Sequence, residues 1–355
     1  MELLSVTMND GVKPRSAIEG KDNSSEDKSN YKIVRKGDMV YNSMRMWQGA
    51  NGISPCDGIV SPAYTVLMPK QEINNGYFAA LFKSVTLINE FRKNSQGMTS
   101  DTWNLKYPQI ETIKVQIPSV SEQDKVSELF SVLDERIAAQ SQLVESLKKY
   151  KRGVMQSIFR HSSHKDWAIV KLGEIFKKVS RRNSNGDIKN VITNSAEYGL
   201  IPQRDFFDKD IAVDGNTSNY YVIEEGDFVY NPRKSNAAPY GPFNRYNLKE
   251  KGIISPLYTC LVLQEDINPA YLAWYFKSDA WYRYIYDNGS QGVRHDRVSM
   301  TDDLLMGIPV YLPASSKQSQ IAEILNAIEN RLSAAQDEYN TLIKLRDGFT
   351  QQLFI

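Results

Sequence analysis

The chain has 355 residues, of which 41% are apolar and 24% are charged, and its formal net charge is +1. These values predict a folded protein of about two domains, and they exclude a disordered chain and a protein that coats nucleic acid through its overall charge. Its two cysteines do not match in the repeat described below, and no apolar run approaches the ~18 residues that cross a bilayer, so we predict a cytoplasmic protein.

The first part of the chain predicts a small mixed domain. Residues 1–16 open it abruptly, and the polar residues 19–30 predict a solvated loop. Short β-type segments follow within residues 31–67, and residues 77–93 have the apolar spacing of a helix that packs on a sheet. A last strand is expected at residues 113–117.

Residues 121–159 predict one long helix that follows Pro118 and has Ser121 as its capping residue. Lys151 interrupts its apolar seam and is expected to extend its charged end into solvent. Gly153 predicts a close backbone approach or a local helix end, because glycine costs ~1 kcal/mol against alanine inside a helix. The heptad a and d positions carry apolar residues, as in a helix that packs on another. These are Val126, Phe130, Leu133, Ile137, Val144, Leu147, Val154 and Ile158.

The second part of the chain repeats this order, with one addition. Residues 165–179 predict a short strand and a helical turn, for which the first part has no counterpart. Residues 270–286 predict a helix whose aromatic side chains belong to a core. A strand at residues 306–312 leads into a second long helix in the same heptad register, where Gly348 and Arg346 repeat the glycine and the charged residue of the first helix.

Short sequence words recur along both parts and indicate an internal duplication. Gly37-Asp-Met-Val-Tyr-Asn42 returns as Gly226-Asp-Phe-Val-Tyr-Asn231, and a shift of 195 residues relates the two long helices. We therefore predict an α+β protein with two tandem mixed α/β domains, each followed by a long α-helix. The predicted bounds are 1–118 for the first domain, 119–160 for the central helix, 161–313 for the second domain and 314–355 for the last helix.

The two parts differ most in two segments that lie between repeated words. Residues 42–51 correspond to residues 231–241, and residues 98–103 correspond to residues 293–297, but their side chains differ. Loops on a rigid support commonly carry function. A repeated frame with different loops predicts two different recognition surfaces.

No catalytic motif is found in the sequence. It contains no phosphate-binding glycine-rich loop, dinucleotide-binding turn or nucleophile elbow. The histidines, His161, His164 and His295, have no zinc spacing. The Asn-Pro-Arg at residues 231–233 departs from the Asn-Pro-Pro-aromatic motif expected of an amino-methyltransferase. We therefore predict that the chain is not an enzyme and binds no metal or cofactor.

Basic and polar side chains in the variable segments are candidates for DNA contacts, against the alternative of a solvated charged surface. Arg, Lys, Asn and Gln can bond base edges, and basic residues can hold phosphates. The candidates in the first part are Arg45, Trp47, Gln48, Asn51, Gln96 and Thr99. The candidates in the second part are Arg181, Arg182, Arg204, Arg233, Lys234, Asn236, Tyr240, Gln291, Arg294, His295 and Arg297.

The chain resembles the specificity subunit of Type I restriction-modification systems over nearly its whole length. The resemblance rests on the two repeated units, on the Gly-Asp-x-Val-Tyr-Asn words, and on two long helices placed after the units. It also rests on the Ile-Pro-x-x-Ser-Glu-Gln word at residues 117–123, which residues 312–318 echo. The resemblance is specific as a combination, although each word alone is weak.

This resemblance implies that the two domains are target-recognition domains, each of which reads one half of a split, asymmetric target in double-stranded DNA. It implies that the two helices pack as an antiparallel coiled coil and fix the spacing between the halves. It further implies two methyltransferase (M) subunits as partners, which bind S-adenosylmethionine and methylate adenine. Motor-nuclease (R) subunits join the full complex, and no membrane is involved.

The abbreviated start departs from the pattern of the family and puts the first half-site in doubt. A strand lost at a sheet edge leaves backbone groups unpaired and weakens a domain. Two alternatives therefore stay open. One is an orphan or decoy protein that docks methyltransferase subunits, and the other is a coiled-coil scaffold that binds no DNA.

Overall fold

The computed structural model describes residues 1–8, 11–18, 20, 22, 24–100, 102–160, 166–205, 217–289 and 296–354. Its contacts divide the chain into two compact units. The first unit comprises Met1–Val144 and Ala334–Ile355, and the second unit comprises Glu145–Ser333. Each unit therefore combines one globular part with a stretch of each long helix.

The described part of the first unit contains seven strands. They are β1 (Glu2–Thr7), β2 (Gly11–Pro14), β3 (Lys32–Val34), β4 (Met39–Asn42), β5 (Asn51–Ile53), β6 (Gly58–Val60) and β7 (Tyr64–Leu67). One sheet has the strand order β2-β1-β6-β3, and a second sheet has the order β5-β4-β7. Strand β1 runs parallel to β6, and the other pairs are antiparallel. Strand β7 forms one edge of the second sheet.

Two helices cover these sheets where the sequence predicts one at residues 77–93. They are α1 (Asn75–Leu81) and α2 (Val85–Asn94), followed by the short α3 (Tyr107–Ile110). The single-helix prediction is wrong because Ser84 caps the second helix: its side chain accepts a hydrogen bond from the Leu87 N–H. Phe91 and Leu87 then pack into the core, where a fully buried large apolar side chain contributes ~1.5–3 kcal/mol.

The strand expected at residues 113–117 is not formed. These residues are irregular, although Ile113 and Ile117 pack against the core of the first unit. The equivalent stretch of the second unit does form a strand, which pairs with a strand from residues 168–171. The described part of the first unit offers no such partner to residues 113–117. A single extended segment cannot satisfy its backbone groups without one.

The second unit contains ten strands within its described residues. They are β8 (Ala168–Lys171), β9 (Phe176–Val179), β10 (Ile192–Ser195), β11 (Gly199–Pro202), β12 (Tyr221–Ile223), β13 (Phe228–Tyr230), β14 (Phe243–Arg245), β15 (Gly252–Ile254), β16 (Thr259–Leu263) and β17 (Pro309–Leu312). They form a four-stranded sheet of order β14-β13-β16-β9 and the pairs β10-β11, β12-β15 and β17-β8. The strand and helical turn predicted near the start of this unit are confirmed as β8 and α5 (Leu172–Ile175), and β9 is a second strand that the sequence analysis does not predict.

An aromatic core lies beneath the main sheet of the second unit. Tyr271, Tyr275 and Trp281 are fully buried, so the prediction that the aromatic stripe is core is confirmed. The Tyr275 hydroxyl donates to the Pro309 carbonyl at 2.8 Å, which satisfies its polar end. The stripe spans two helices rather than the predicted one, α6 (Pro269–Lys277) and α7 (Tyr282–Asn288). The expected strand at residues 306–312 is confirmed only from Pro309, because α8 (Asp302–Met306) precedes it.

The two long helices are confirmed as α4 (Val120–Phe159) and α9 (Ser315–Leu353). Phe130, Leu133, Ile137 and Val144 of α4 are buried in the first unit, and Val126 is half-buried. The Gln140 side chain donates to the Ala335 carbonyl at 2.9 Å. Arg136 and Glu338 form an ion pair at 3.1 Å in the same unit. In the second unit, residues of both helices are likewise buried at heptad positions. These are Leu147, Ile321, Leu325 and Ile328.

The charged d residues contact carboxylates instead of extending freely into solvent. Lys151 Nζ lies 2.8 Å from a carboxylate oxygen of Glu329 in the second unit. Arg346 lies 3.7 Å from Asp134 and 3.2 Å from Asp347 in the first unit. Both side chains are about a quarter exposed, at 26% and 25%. The interruptions of the apolar seam are thus occupied by ion pairs.

Both helix glycines lack the packing role that the sequence suggests. A Cβ atom added to Gly153 or Gly348 would meet no other atom within 4 Å. Both residues lie inside continuous helices, so neither ends its helix. Neither glycine is required by the structure of its own unit.

Each long helix begins with the same side-chain junction. The Gln123 side chain accepts from the Asn74 N–H at 2.9 Å and donates to the Pro118 carbonyl at 2.9 Å. In the second unit Gln318 makes the equivalent bonds to Asn268 and to a proline carbonyl, at 3.0 and 2.9 Å. Both glutamines are buried. The serine that caps α4 is Ser119 rather than Ser121, because its N–H and hydroxyl both donate to the Glu122 carboxylate.

Candidate nucleic-acid interface

The variable segment of residues 42–51 is a loop between β4 and β5. Met46 is fully buried and anchors a short 3-10 helix, and Gly49 follows it with a left-handed φ of 83°. Glycine adopts this conformation without steric cost. Arg45 and Gln48 are half-buried beside this anchor. The loop therefore has a fixed base and presents polar side chains around it.

A second loop, described at residues 95–100 and 102–104, lies against the first. The Leu105 N–H donates to the Ser43 carbonyl at 2.8 Å, which ties the ends of the two loops together. The rings of Trp47 and Trp103 meet edge to face at 5.1 Å, and the Arg92 guanidinium lies 5.7 Å from the Trp47 ring. We call residues 42–51 and 95–104 the first loop pair. Its members Gln96 and Thr99 are exposed.

The second unit joins its variable segments in the same way. The loop of residues 231–241 follows β13, and the Val298 N–H donates to the Pro232 carbonyl at 2.9 Å. The Lys234 N–H donates to the Asp296 carbonyl at 2.9 Å, and the backbones of Arg233 and Arg297 form an antiparallel bridge. We call residues 231–241 and 296–298 the second loop pair. Ser43 and Pro232, which occupy equivalent repeat positions, thus each accept a backbone hydrogen bond from a residue at the end of the second variable segment of their unit.

The charges of two arginines act on a tyrosine at the second loop pair. Burial raises the pKa of the Tyr258 hydroxyl, and the charges of Arg233 and Arg297 oppose that rise. Arg233 is exposed, and the Arg297 side chain is 34% exposed with its Nε 3.8 Å from the Asp296 carboxylate. The hydroxyl is therefore neutral near pH 7 and can donate or accept a hydrogen bond beside positive charge.

The tyrosine and asparagine candidates of the second loop differ in their surroundings. The Tyr240 ring contacts the Tyr282 ring at 5.0 Å, and its carbonyl accepts from the Tyr230 hydroxyl at 2.8 Å. This bond fixes the end of the loop. Asn236 is exposed at its centre. Asn236 is thus available to a ligand, whereas Tyr240 mainly supports the loop.

Three candidates, Arg181, Arg182 and Arg204, lie outside the loop pairs, and a fourth, Asn51, is buried at the end of its loop. Asn51 is fully buried and donates to the Gly49 carbonyl at 3.1 Å, so its side chain does not face solvent. Arg181 forms ion pairs with Glu224 and Asp227, at the start of β13 and so at the strand end opposite the second loop. Arg182 donates to the Asn219 side chain at 3.1 Å. Arg204 is exposed and lies in a short 3-10 helix.

Three candidates, Gln291, Arg294 and His295, lie outside the described residues, as do His161 and His164. Sequence reasoning missed Trp103, Arg92 and Tyr258. Trp103 lies inside a segment that the comparison of the two repeats marks as variable. Tyr258 lies in the repeated Ser-Pro-x-Tyr-Thr word, so the sequence assigns it to the frame. Its position beside two arginines arises only from the fold.

Other kinds of site receive no support from the described residues. Among them, no group of three or more His, Cys, Asp or Glu side chains is placed to hold a metal ion. No helix within the described ranges is long and apolar enough to cross a membrane. Cys56 and Cys260 are both free thiols.

Comparison with known proteins identifies the family. The family model of the Type I restriction modification DNA specificity domain matches residues 5–149 and 164–343, and the chain belongs to this family. It is 24% identical over 345 residues to the Type I restriction enzyme MjaVIII specificity subunit of Methanocaldococcus jannaschii. The alignment covers 88% of this chain and 77% of that protein.

Solved structures show a similar fold. The S subunit of the Type I restriction-modification system from M. genitalium superposes with a TM-score of 0.54 and 15% identity, over 91% of this chain and 84% of that one. A chain from a structure of complex assembly and conformational transition of the type I R-M system also superposes with a TM-score of 0.54. Its sequence identity is 17%, and the superposition covers 93% of this chain and 84% of that one. These proteins share the architecture of two tandem mixed α/β domains with long helices.

Proposed function

We propose that this chain is the DNA sequence-recognition subunit of a Type I restriction-modification complex and that its two loop pairs read the two parts of a split, asymmetric target. One observation carries the proposal. The bonds from Leu105 to Ser43 and from Val298 to Pro232 hold two loops of different sequence on equivalent frames. Equivalent frames present the loops alike, and different loops select different bases.

The chemistry of the loop pairs fits base reading. Arg45, Gln48 and Gln96 in the first loop pair carry side chains that bond base edges or phosphates. Trp47 and Trp103 give that pair a rigid aromatic support. In the second loop pair, Arg233, Lys234 and Arg297 supply positive charge and Asn236 supplies an exposed amide. Local charge of this kind is compatible with a net charge of +1 because only the tips meet DNA.

The long helices set the distance between the two half-sites in this proposal. Contacts within the first unit pair rising residue numbers on one helix with falling numbers on the other, as Arg136 with Glu338 and Gln140 with Ala335. This direction supports an antiparallel coiled coil. A helix of 40 residues measures about 60 Å, and one turn of DNA is about 34 to 36 Å, so the spacer is of the order of one to two turns.

The proposed complex assigns chemistry to other subunits. Two methyltransferase subunits dock on the chain, bind S-adenosylmethionine and methylate adenine, and motor-nuclease subunits join to cut unmodified DNA. Membership of the specificity family supports these partners. The chain itself contributes recognition and spacing and performs no catalysis.

A map of methylated adenines tests the proposal. Cells that express the chain with its cognate methyltransferase subunit are compared with cells that express the methyltransferase subunit alone. We expect a new motif of two short blocks separated by a fixed gap. A matched variant with serine and glycine in place of residues 234–239 is expected to lose or relax one block only. Co-purification with the methyltransferase subunit without a new motif would favour a decoy protein instead. Absence of both co-purification and a new motif would favour a coiled-coil scaffold.

A further inference from the structure

The two loop pairs begin with the same side-chain turn. The Asn42 side chain accepts from the Met44 N–H at 3.1 Å, and the Asn231 side chain accepts from the Arg233 N–H at 2.9 Å. Both asparagines end the repeated Gly-Asp-x-Val-Tyr-Asn word. Asparagine commonly holds a turn in this way. Because the turns are the same, Met44 and Arg233 occupy equivalent positions in their loops.

The two positions that follow the asparagine turn differ in what the repeat retains. The first position carries Met44 in the first unit and Arg233 in the second. The next position is basic in both units, where Arg45 and Lys234 are half-buried. Phosphates are the same in every DNA sequence, whereas each base pair presents its own groups in the major groove. A phosphate contact therefore fits the position that stays basic, and a base contact fits the position that differs.

A second arginine lies beside Arg233. Arg297 stands directly opposite it across an antiparallel backbone bridge, so the two side chains extend from the same side. Like charges in this arrangement lower stability. The Asp296 carboxylate lies 3.8 Å from the Arg297 Nε, and Arg233 forms no ion pair within the described part of the chain. The arginine pair is therefore placed to bind a group that offers several hydrogen-bond acceptors.

The first loop pair carries no charge at the two equivalent positions. The residue before the N–H that closes the loop pair is Asn104 in the first unit and Arg297 in the second. Met44, the equivalent of Arg233, is 42% exposed. An apolar side chain and an amide thus stand where the second unit has two guanidinium groups.

The two sets of side chains match different base pairs. Guanine presents two neighbouring acceptors, O6 and N7, in the major groove, and arginine is its commonest specific partner. Thymine presents a methyl group there, which apolar side chains contact. An arginine pair therefore matches a G·C pair, and an exposed methionine matches an A·T pair.

We propose that Arg233 and Arg297 read one G·C pair in the second half-site and that Met44 contacts an A·T pair at the equivalent position of the first half-site. Arg45 and Lys234 bind phosphates beside these positions. This inference rests on the function proposed above, and it adds the chemical identity of one base pair in each half-site.

Methylation maps of exchanged residues test the assignment in the assembled complex. Arg233→Met and Arg297→Met are each expected to remove the requirement for G·C at one and the same position, within the block that the variant of residues 234–239 alters. Met44→Arg is expected to replace A·T by G·C at one position of the other block. Lys234→Met is the matched control, because it removes the neighbouring positive charge. It is expected to reduce the extent of methylation without changing the motif.

A change in the DNA tests the same contact without altering the protein. Deazaguanine carries a C–H group in place of N7 and still pairs with cytosine. At the position that Arg233→Met changes, deazaguanine is expected to weaken binding of the parent complex about fivefold or more relative to guanine. The Arg233→Met complex is expected to bind both duplexes equally. A binding titration at one fixed salt concentration measures the ratio.

The possible failures of this inference are distinct from those of the proposed function. A motif unchanged by Arg233→Met would overturn the inference alone, because the arginine would then bind phosphate. An A·T pair at the position that this variant changes would also overturn it and leave the proposed function intact. Equal binding of the parent complex to guanine and deazaguanine duplexes would contradict the N7 contact. Absence of any motif with the parent chain would overturn both.

Discussion

Exposure separates two kinds of polar residue in this protein. Asn51 and Asn236 lie in equivalent loops, yet the first is fully buried in its own unit and the second faces solvent. Arg181 and Arg233 carry the same charge, yet carboxylates hold the first, whereas the second has no ion-pair partner within 4.0 Å among the described residues. The residue type alone therefore does not assign a DNA contact. The side chains that remain available are those at the loop tips.

The exposed arginine of the second loop pair gives the sharpest test at this scale. Arg233→Ala is expected to weaken binding of the target by about 1–3 kcal/mol, which is about 5- to 150-fold, and to relax selection at one base position. The measurement is a binding titration of the assembled complex at one fixed salt concentration. Lys251→Ala is the matched control: it removes one positive charge at the other end of β13, where Lys251 pairs with Glu224 at 2.6 Å. Equal loss in both variants would show a general charge effect.

The junction between domain and helix decides how firmly each helix is attached. Gln123 and Gln318 occupy the last position of the Ser-Glu-Gln word and of its echo in the second unit, and each bonds backbone groups on both sides of the junction. Because both side chains are buried, these bonds cannot be replaced by water without local opening. The glutamine of this sequence word thus attaches the start of each long helix to its domain.

Removal of one junction tests its strength. Gln123→Ala leaves the Asn74 N–H and the Pro118 carbonyl without their partner, and we expect the free energy of unfolding to fall by about 2 kcal/mol. Chemical denaturation with circular dichroism measures the change. Gln336→Ala serves as the control, because the Gln336 side chain makes an exposed hydrogen bond to Asn340 on the helix surface. A loss of similar size in the control would contradict the special role of the junction.

The helix glycines give a prediction of the opposite sign. Gly153→Ala is expected to stabilise the chain by up to about 1 kcal/mol, since alanine favours the helix and the added Cβ meets no atom within 4 Å. Thermal unfolding detects the gain. Gly37→Ala is expected to destabilise instead, because Gly37 has a φ of 90°. A loss of stability in Gly153→Ala would show that the position needs glycine for a reason within the fold.

At the scale of the whole molecule, the duplication gives a single chain two similar units that carry different loop pairs. The two units share sheet order around β4 and β13, the loop-closing hydrogen bond and the helix junction, while their loops and their edges differ. The edge formed by β8 and β9 belongs to the second unit alone among the described residues. The same plan therefore supports two different surfaces.

A chain with two identical units tests this organisation. In this variant a second copy of residues 166–313 replaces residues 1–118 and leads directly into the first long helix. If the proposed antiparallel helices relate the units by an approximate twofold axis, the methylated motif is expected to become an inverted repeat of the second half-site. A direct repeat in the methylation map would contradict the antiparallel arrangement, and the parent chain serves as the asymmetric reference.

Most of the elements could be predicted from local patterns. The heptads of the long helices, the aromatic core helices and the opening segment of the second unit are each encoded by periodicity within a short window. Two predicted elements are wrong because a specific interaction, present or missing, outweighs the local pattern. Residues 113–117 have the composition of a strand but lack a partner strand, and Ser84 breaks a helix through a side-chain cap that competes with continuous helical spacing.

The internal repeat and its period are properties of the sequence, and they sufficed for the duplication, the long helices and the family resemblance. Which side chains meet was decided in three dimensions. Trp47 and Trp103 are 56 positions apart, and the charges of Arg233 and Arg297 act on Tyr258 from separate segments. Burial and strand pairing depend on contacts between residues distant in the chain, and no local pattern encodes such contacts. The loop pairs therefore became visible only with the fold.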